Sequence, residues 1–266
     1  MIRAWLELPV AGVFLSLAIL YFGMALLLTL VAFRSPLRRP LQHLNGVVAP
    51  FFGSIAVLFA LLTGFLANDI GDRSRQAVRA LQAEAGELRN VYTLSVASAS
   101  EMSSIRRALK GYVASVIRDE WPAMDAGHHA PATDAAYDAM LHEVSDPTIA
   151  RDSGNAVHAA LMSATVRVGT ARNDRLALSA DHTNDLKWIV VLLLGLFTQT
   201  AIGMVHLERP RAFVATLTLF STAVVVALGI IAMQEYPFHG VFGLKPEPMR
   251  YMLDLPEILP PPAPKT

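Results

Sequence analysis

No cysteine occurs anywhere in the chain, which removes disulfides, thiolate metal sites and cysteine nucleophiles together. Charge is scarce too: 17% of residues are Asp, Glu, Lys or Arg, and 22 basic residues balance 22 acidic ones. A chain with no basic excess lacks what neutralises a phosphate backbone, so nucleic acid is not an expected partner. Also missing is any run in which apolar and polar residues alternate as in a half-buried strand. What is abundant is apolar surface, since 53% of the 266 residues are hydrophobic and the mean hydropathy is +0.42. That balance is too apolar for an ordinary water-soluble domain and makes the lipid bilayer the expected surroundings.

A helix needs roughly 20 apolar residues to cross a hydrocarbon core of about 30 Å. Four windows meet that length, at residues 8–33, 47–67, 188–206 and 212–233. The first is longer than a signal core and has no small-residue cleavage site behind it, so it reads as a retained helix. Short polar connections at 34–46 and 207–211 join the windows in pairs. The expected fold is therefore an all-α membrane protein, with four transmembrane helices in two hairpins and a helical extramembrane middle segment. Its expected division is 1–67 for the first hairpin, 68–187 for the middle segment, 188–233 for the second hairpin and 234–266 for a C-terminal segment ending in a proline-rich tail.

The middle segment has helical periodicity. Val78, Leu81, Ala85, Leu88 and Tyr92 continue the second span, so that helix is expected to project beyond the membrane as one rod. Met102, Ile105, Leu109, Tyr112 and Val116 form a second stripe, with Ser98 and Glu101 at capping-box spacing before it and Pro122 at its expected end. Residues 123–133 read as a loop. Asp146-Pro147 should open a further helix whose buried stripe is Val157, Leu161, Ala164 and Val168. From Leu255 onward the density of proline predicts an extended, mobile tail.

Arg34, Arg38, Arg39, Arg209 and Arg211 in the short connections favour a cytoplasmic position for those loops. Arg73, Arg75, Arg79, Arg172, Arg175 and Lys187 near the membrane ends of the middle segment oppose this, so charge alone leaves the orientation open.

Chemistry-bearing patterns are few. His128 and His129 are adjacent, a spacing that cannot put two rings on one helix face, and no helical His-Glu-x-x-His, phosphate-cradling glycine loop or nucleophile elbow occurs. No metal, no cofactor and no enzymatic activity are expected. Glu120 beside Trp121 reads as the cap and packing of a helix junction rather than a titrating site. Glu84 and Glu87 are expected to make inter-helix ion pairs of modest worth with Arg172 or Arg175.

The second span is the most informative. Behind Pro50 it presents Gly53, Ala56, Ala60, Gly64 and Ala67 on one face and Val57, Leu61 and Phe65 at four-residue steps on another. The plain reading of the latter three is packing against lipid or neighbouring helices. The sharper one is a hydrophobic constriction that gates a pore by dewetting.

Pro50-Phe51, Gly64-Phe65, Asn68, Asp72-Arg73 and Ala77, with Tyr236-Pro237-Phe238-His239-Gly240 after the last span, resemble the bestrophin second helix and the Pro-Phe-Gly segment that follows the last bestrophin helix. Glu84-Ala85, Tyr112, Glu120-Trp121-Pro122, Arg172 and Arg175-Leu176 extend the likeness to the bacterial bestrophin-like domain family, in matching order from Pro50 to about Met249. The resemblance implies a multi-pass protein of the bacterial inner membrane with a cytoplasmic middle segment. It further implies a homopentamer whose second helices surround an anion pathway, with the neck at Val57, Leu61 and Phe65. Two departures stand out. Ser74-Arg75 replaces the tryptophan pair that follows Asp-Arg in bestrophins, and the acidic run that binds calcium in animal members is missing after Phe238. Arg73, Arg75 and Arg79 would multiply into basic rings in such an oligomer, favouring chloride-sized anions. The competing expectation is a membrane sensor or scaffold with a helical binding segment between spans two and three.

Overall fold

The computed structural model describes residues 2–34, 49–98, 100–125, 128–240 and 243–258, with the side chains at 49–51 and 125 left aside. The connection carrying Arg38 and Arg39, Gly127 in the expected loop, and the tail from residue 259 lie outside the described residues. Among the described residues all regular structure is helical. The helices are α1 (Ile2–Leu6), α2 (Val10–Arg34), α3 (Ala49–Ala97), α4 (Ser103–Ser115), α5 (Trp121–Asp125), α6 (Pro131–Val144), α7 (Pro147–Ser153), α8 (Asn155–Ala180), α9 (Asp185–Val205), α10 (Pro210–Ala232) and α11 (Glu247–Arg250). They divide into two compact units, Met1–Asp72 with His182–Glu235, and Arg73–Asp181 with Tyr236–Thr266.

The first unit holds the apolar helices. α2, α3, α9 and α10 are each long and apolar enough to cross a membrane. α9 starts at Asp185, a few residues ahead of the apolar window, because the Asn184 side chain accepts a hydrogen bond from the Leu186 N–H at 2.9 Å and caps the helix. α2 packs most extensively on α10, with α9 beside both. Small residues make this possible: a Cβ at Gly195 would run into the Tyr21 hydroxyl and one at Gly229 into the Phe14 ring. Without a hydrophobic drive between helices in lipid, such close approach and buried polar bonds hold the bundle. The Gln199 Nε2 donates to the Tyr21 carbonyl and to the Ser221 hydroxyl, both at 2.8 Å, and so links α9 to α2 and α10. Gly195→Val is expected to cost about 1–3 kcal/mol through overpacking, visible as a lower melting temperature of the detergent-solubilised protein. An unchanged melt would show that Tyr21 moves aside freely.

At one end of this unit Glu235, fully buried, accepts from the Thr183 N–H at 2.6 Å and the Trp188 indole N–H at 3.2 Å. A buried carboxylate is tolerable there because its oxygens are satisfied by donors.

The second unit is built on the later part of α3, whose Leu81, Ala85, Leu88 and Val91 join Met102, Ile105, Leu109, Tyr112, Val113 and Val116 in one core. Leu161, Ala164 and Val168 of α8 complete it, as do Met140 and Val144 of α6. Local details differ from the sequence expectations. The cap before α4 is not Ser98: Glu101 accepts from the Ser103 N–H at 2.7 Å, while the Ser98 hydroxyl bonds that of Ser153 at 2.6 Å. Pro122 does not end the helix. A π-helical turn, Val116–Glu120, widens the backbone just ahead of it, so the missing proline N–H and the bulk of its ring are accommodated within a continuing helix.

The expected loop at 123–133 is accordingly shorter, with Pro131 at the start of α6. Asp146 does cap a helix, its side chain accepting from the Thr148 N–H. That helix ends after seven residues because Gly154 takes φ 84°, a region open to glycine, and α8 then begins afresh. The described start of the tail is docked rather than free. The Tyr92 hydroxyl donates to the Pro256 carbonyl at 3.0 Å, and the buried Arg106 donates from Nε to the Glu257 carbonyl at 2.5 Å.

Candidate functional site

Two features stand apart from ordinary packing: the uncovered face of α3 and a buried charge network in the second unit.

Pro50 falls in the first turn of α3, with its side chain outside what is described. Val57, Leu61 and Phe65 are 66%, 49% and 60% exposed. Only 11% of the apolar window of this span is buried, against 22%, 39% and 33% for α2, α9 and α10. Its apolar face is therefore left uncovered by the described residues and calls for lipid or another protein surface. Gly53 and Gly64 lie on the same open side with nothing within 4 Å of a would-be Cβ.

Farther along the helix the exposed positions turn polar. Asn68 is exposed and donates to Asp72 at 2.9 Å, and Arg75, Arg79, Gln82, Gly86, Asn90 and Thr93 follow, all exposed, at steps of three or four residues. Arg73 does not share that face. It is buried and pairs with Asp181 at 3.4 Å, as expected for a residue two positions from Arg75 and hence on the other side of a helix.

The network gathers residues that are far apart in sequence. Glu84 on α3, Tyr112 on α4, Glu120 at the end of the π turn and Arg175 on α8 are all fully buried. Arg175 donates from Nε to Glu84 Oε2 at 2.6 Å and from Nη2 to Glu84 Oε1 at 3.1 Å and Glu120 Oε2 at 2.6 Å. Its guanidinium lies 5.4 Å from the centre of the Trp121 ring, and Nη1 reaches the Met124 sulfur at 2.8 Å. Arg172 donates from Nε to Glu120 Oε1 at 2.9 Å, places Nη2 against the same oxygen, and uses Nη2 again on Asp134 Oδ1 at 2.7 Å. Asp134 in turn meets His129 at 2.5 Å. The Tyr112 hydroxyl donates to Glu84 Oε1 at 2.5 Å.

Burial pushes the Tyr112 hydroxyl well above its ordinary value and the Glu84 charge adds to this, so it stays protonated as the donor. Burial alone would lower the guanidinium of Arg175. The Glu84 and Glu120 carboxylates outweigh that and hold it above its ordinary range. Arg172 behaves likewise through Glu120 and Asp134.

Three expectations need correction: Glu87 makes its modest surface pair with Arg167 at 2.9 Å rather than with Arg172 or Arg175, the pairing of Glu84 with Arg175 is buried rather than modest, and Glu120 is an ion-pair partner of Arg172 and Arg175 rather than a helix cap. The Glu84 and Glu120 charges are desolvated and each is matched by guanidinium forks, an arrangement in which losing one partner is far costlier than at a surface. The chemistry it offers is positional: two carboxylates and two guanidiniums cancel in charge and lock α3, α4, the π turn and α8 to one another. Asp134 and Met124 belong to the network too, and nothing in their spacing announces it. Nearby, Phe238 sits edge-on to Trp121 at 5.7 Å between centroids. Pro237 accepts from the Leu244 N–H at 2.8 Å, and Gly240 takes φ 72°. Pro237, Phe238 and Gly240 are thus a turn that closes against the α5 region. Among the described residues no group of His, Asp or Glu has metal-site geometry.

The fold is that of known membrane proteins. The chain is similar to a bacterial bestrophin homologue from Klebsiella pneumoniae, solved as a tryptophan-to-alanine variant, with a TM-score of 0.68, 13% identity, and coverage of 93% of this chain and 98% of that one. It is similar also to a membrane protein solved as a proline-to-alanine variant, with a TM-score of 0.66, 12% identity, and coverage of 91% and 97%. Comparison with curated proteins finds no match. The bestrophin-like domain profile matches residues 19–249, which takes in α3, the whole charge network and the Pro-Phe-His-Gly turn, and the chain belongs to the bestrophin-like domain family.

Proposed function

We propose that the chain is one subunit of a homo-oligomeric, chloride-type anion channel of a bacterial cell membrane, in which α3 of each copy lines the conducting path. Val57, Leu61 and Phe65 form the constriction, and Arg75 and Arg79 form the basic vestibule. Arg73, tied to Asp181, supports that vestibule from behind. The observation that carries this reading is the least-buried span of the four, α3, whose exposed positions pass from apolar at Val57, Leu61 and Phe65 to polar and basic from Asn68 to Arg79. A pathway that admits anions and gates by dewetting uses both parts, an apolar constriction and a basic approach on the same helix. Family resemblance supports five copies around the axis and a cytoplasmic second unit. The charge network fits the same reading by holding the later part of α3 rigid on α4 and α8.

Two measurements on the purified full-length chain test it. Mass in detergent should be five times the 28.8 kDa of one chain, and lipid bilayers containing the protein should carry current that reverses with the chloride gradient. A monomer or dimer cannot surround an axis and would favour the sensor or scaffold reading. A confirmed oligomer with no anion current would overturn the channel assignment.

A further inference from the structure

Outside the charge network the second unit buries a further guanidinium, Arg106 of α4, and its contacts join three segments of the chain. We propose that residues 247–258 are a releasable strap whose docking, through Arg106, fixes the corner where α3 ends and α4 begins.

Each nitrogen of the Arg106 side chain has its own partner. Nη1 donates to the Ser95 carbonyl at 2.9 Å, Nη2 to Glu101 Oε1 at 2.9 Å, and Nε to the Glu257 carbonyl at 2.5 Å. Ser95 lies near the end of α3, where carbonyls lack partners along the helix and a basic side chain can supply one. Glu101 also accepts from the Ser103 N–H at 2.7 Å at the start of α4. One side chain thus caps the outgoing helix, steadies the cap of the incoming one and holds the strap.

The strap is bound in a way that permits release. It consists of α11, a 3-10 turn at Tyr251–Asp254 and an extended end. The described bonds from the rest of the unit to its backbone come from two side chains, Tyr92 to the Pro256 carbonyl at 3.0 Å and Arg106 to that of Glu257. Met249 and Met252 are fully buried in the core that α3 and α4 share, with Leu253 and Leu255 packed against it, and the Arg89 guanidinium lies 6.0 Å from the centre of the Tyr251 ring. The Glu257 carboxylate meets Arg107 at 3.7 Å and Lys110 at 3.8 Å, long, screened pairs that add little.

Undocking therefore breaks side-chain contacts and no helix or ladder, but it uncovers Arg106. Once water reaches Nε the guanidinium has no fixed place, and the Ser95 carbonyl and the Glu101 cap lose their shared donor. By the same link, loosening the corner frees the Glu257 carbonyl, so the two segments open as one unit. Asn90 and Thr93, on the exposed face of α3, precede this corner by one to two turns, and the order of that end of the face follows the strap.

Hydrogen exchange of the full-length protein in detergent, read by mass spectrometry, tests the coupling whatever the channel activity. In wild type, peptides covering 247–258 and 92–98 should lose protection together as urea is raised, ahead of α6 in the same core. Leu253→Ser/Leu255→Ser, which weakens the strap's own packing, should speed exchange in both segments by about tenfold, the weight of one hydrogen bond to a charged group. Arg106→Met should speed both as well, and adding the two serine substitutions to it should free the strap further with no added effect at 92–98. Protection at 92–98 that outlasts that of the strap in wild type overturns the proposal whether or not any variant folds. So does a strap variant with unchanged exchange at 247–258, or one with faster exchange there and none at 92–98. An equal acceleration at 92–98 in the Arg106→Met background would show that the coupling passes through other residues and overturn the role given to Arg106.

Discussion

Replacing Arg175 with alanine is expected to lower the unfolding free energy by about 3–5 kcal/mol, the cost of leaving buried charges without their partner. Among the described residues Arg175 is the one guanidinium that bridges Glu84 and Glu120, both fully buried. Its loss leaves Glu84 with only the Tyr112 hydroxyl among the network bonds described, while Glu120 keeps Arg172. Thermal or chemical unfolding of the second unit, followed in detergent, reads this loss. Two controls make it specific. Removing the surface cation Arg167, paired with Glu87, should change little, since exposed pairs are screened and cost side-chain entropy to hold. Combining Glu84→Gln with Arg175→Met removes one charge of each sign and should restore much of the lost stability, because the Glu120–Arg172 pair survives. If Arg175→Ala unfolds like wild type, the network is not closed in the protein and the positional role given to it is wrong.

The second large effect concerns Leu61. A charge placed at this mid-span position of α3 has opposite consequences for the two environments its exposed face can meet. Facing hydrocarbon, Leu61→Arg would cost about 2.5–3.5 kcal/mol and impair insertion or assembly. Facing a water-filled path along an oligomer axis, the guanidinium is hydrated, assembly is retained, and the wetted constriction should pass a larger anion current. The expected result is the latter: native-like yield and mass, with current above wild type. Aggregation or loss of the oligomer, with Leu193→Arg on α9 behaving the same way, would instead mark Leu61 as lipid-facing. Leu193 is a fair comparison because it is also an exposed apolar residue, at 46%. Phe65→Ala adds an independent reading, since shortening the apolar ring should ease wetting without introducing charge.

Why some of this was legible in the sequence is a matter of range. The four spans follow from local composition, because about 20 consecutive apolar residues have only one stable surrounding, and the helical stripes at Leu81, Leu88, Ile105 and Leu161 follow from the 3.6-residue period. The Asp146 cap is visible for the same reason, being a bond to a neighbour two residues away. The places where local reading failed are those where a non-local partner or an unusual turn prevails. Pro122 reads as a terminator until a π turn makes room for it, and the tail reads as free until Arg106 and Tyr92 hold its start.

The sequence by itself determined that the chain is helical, membrane-spanning and divided by a polar middle segment, and the order of short motifs from Pro50 to Gly240 was enough to indicate the family. Only the tertiary structure decided that Glu84, Glu120, Arg172 and Arg175 form one buried neutral network, that Arg73 faces inward while Arg75 and Arg79 face outward, and that α2 lies against α10. The physical reason is that hydrophobic period and length are properties of neighbours along the chain. A charge pair separated by 91 residues is fixed instead by the crossing of two helices, and no spacing in the sequence encodes that crossing.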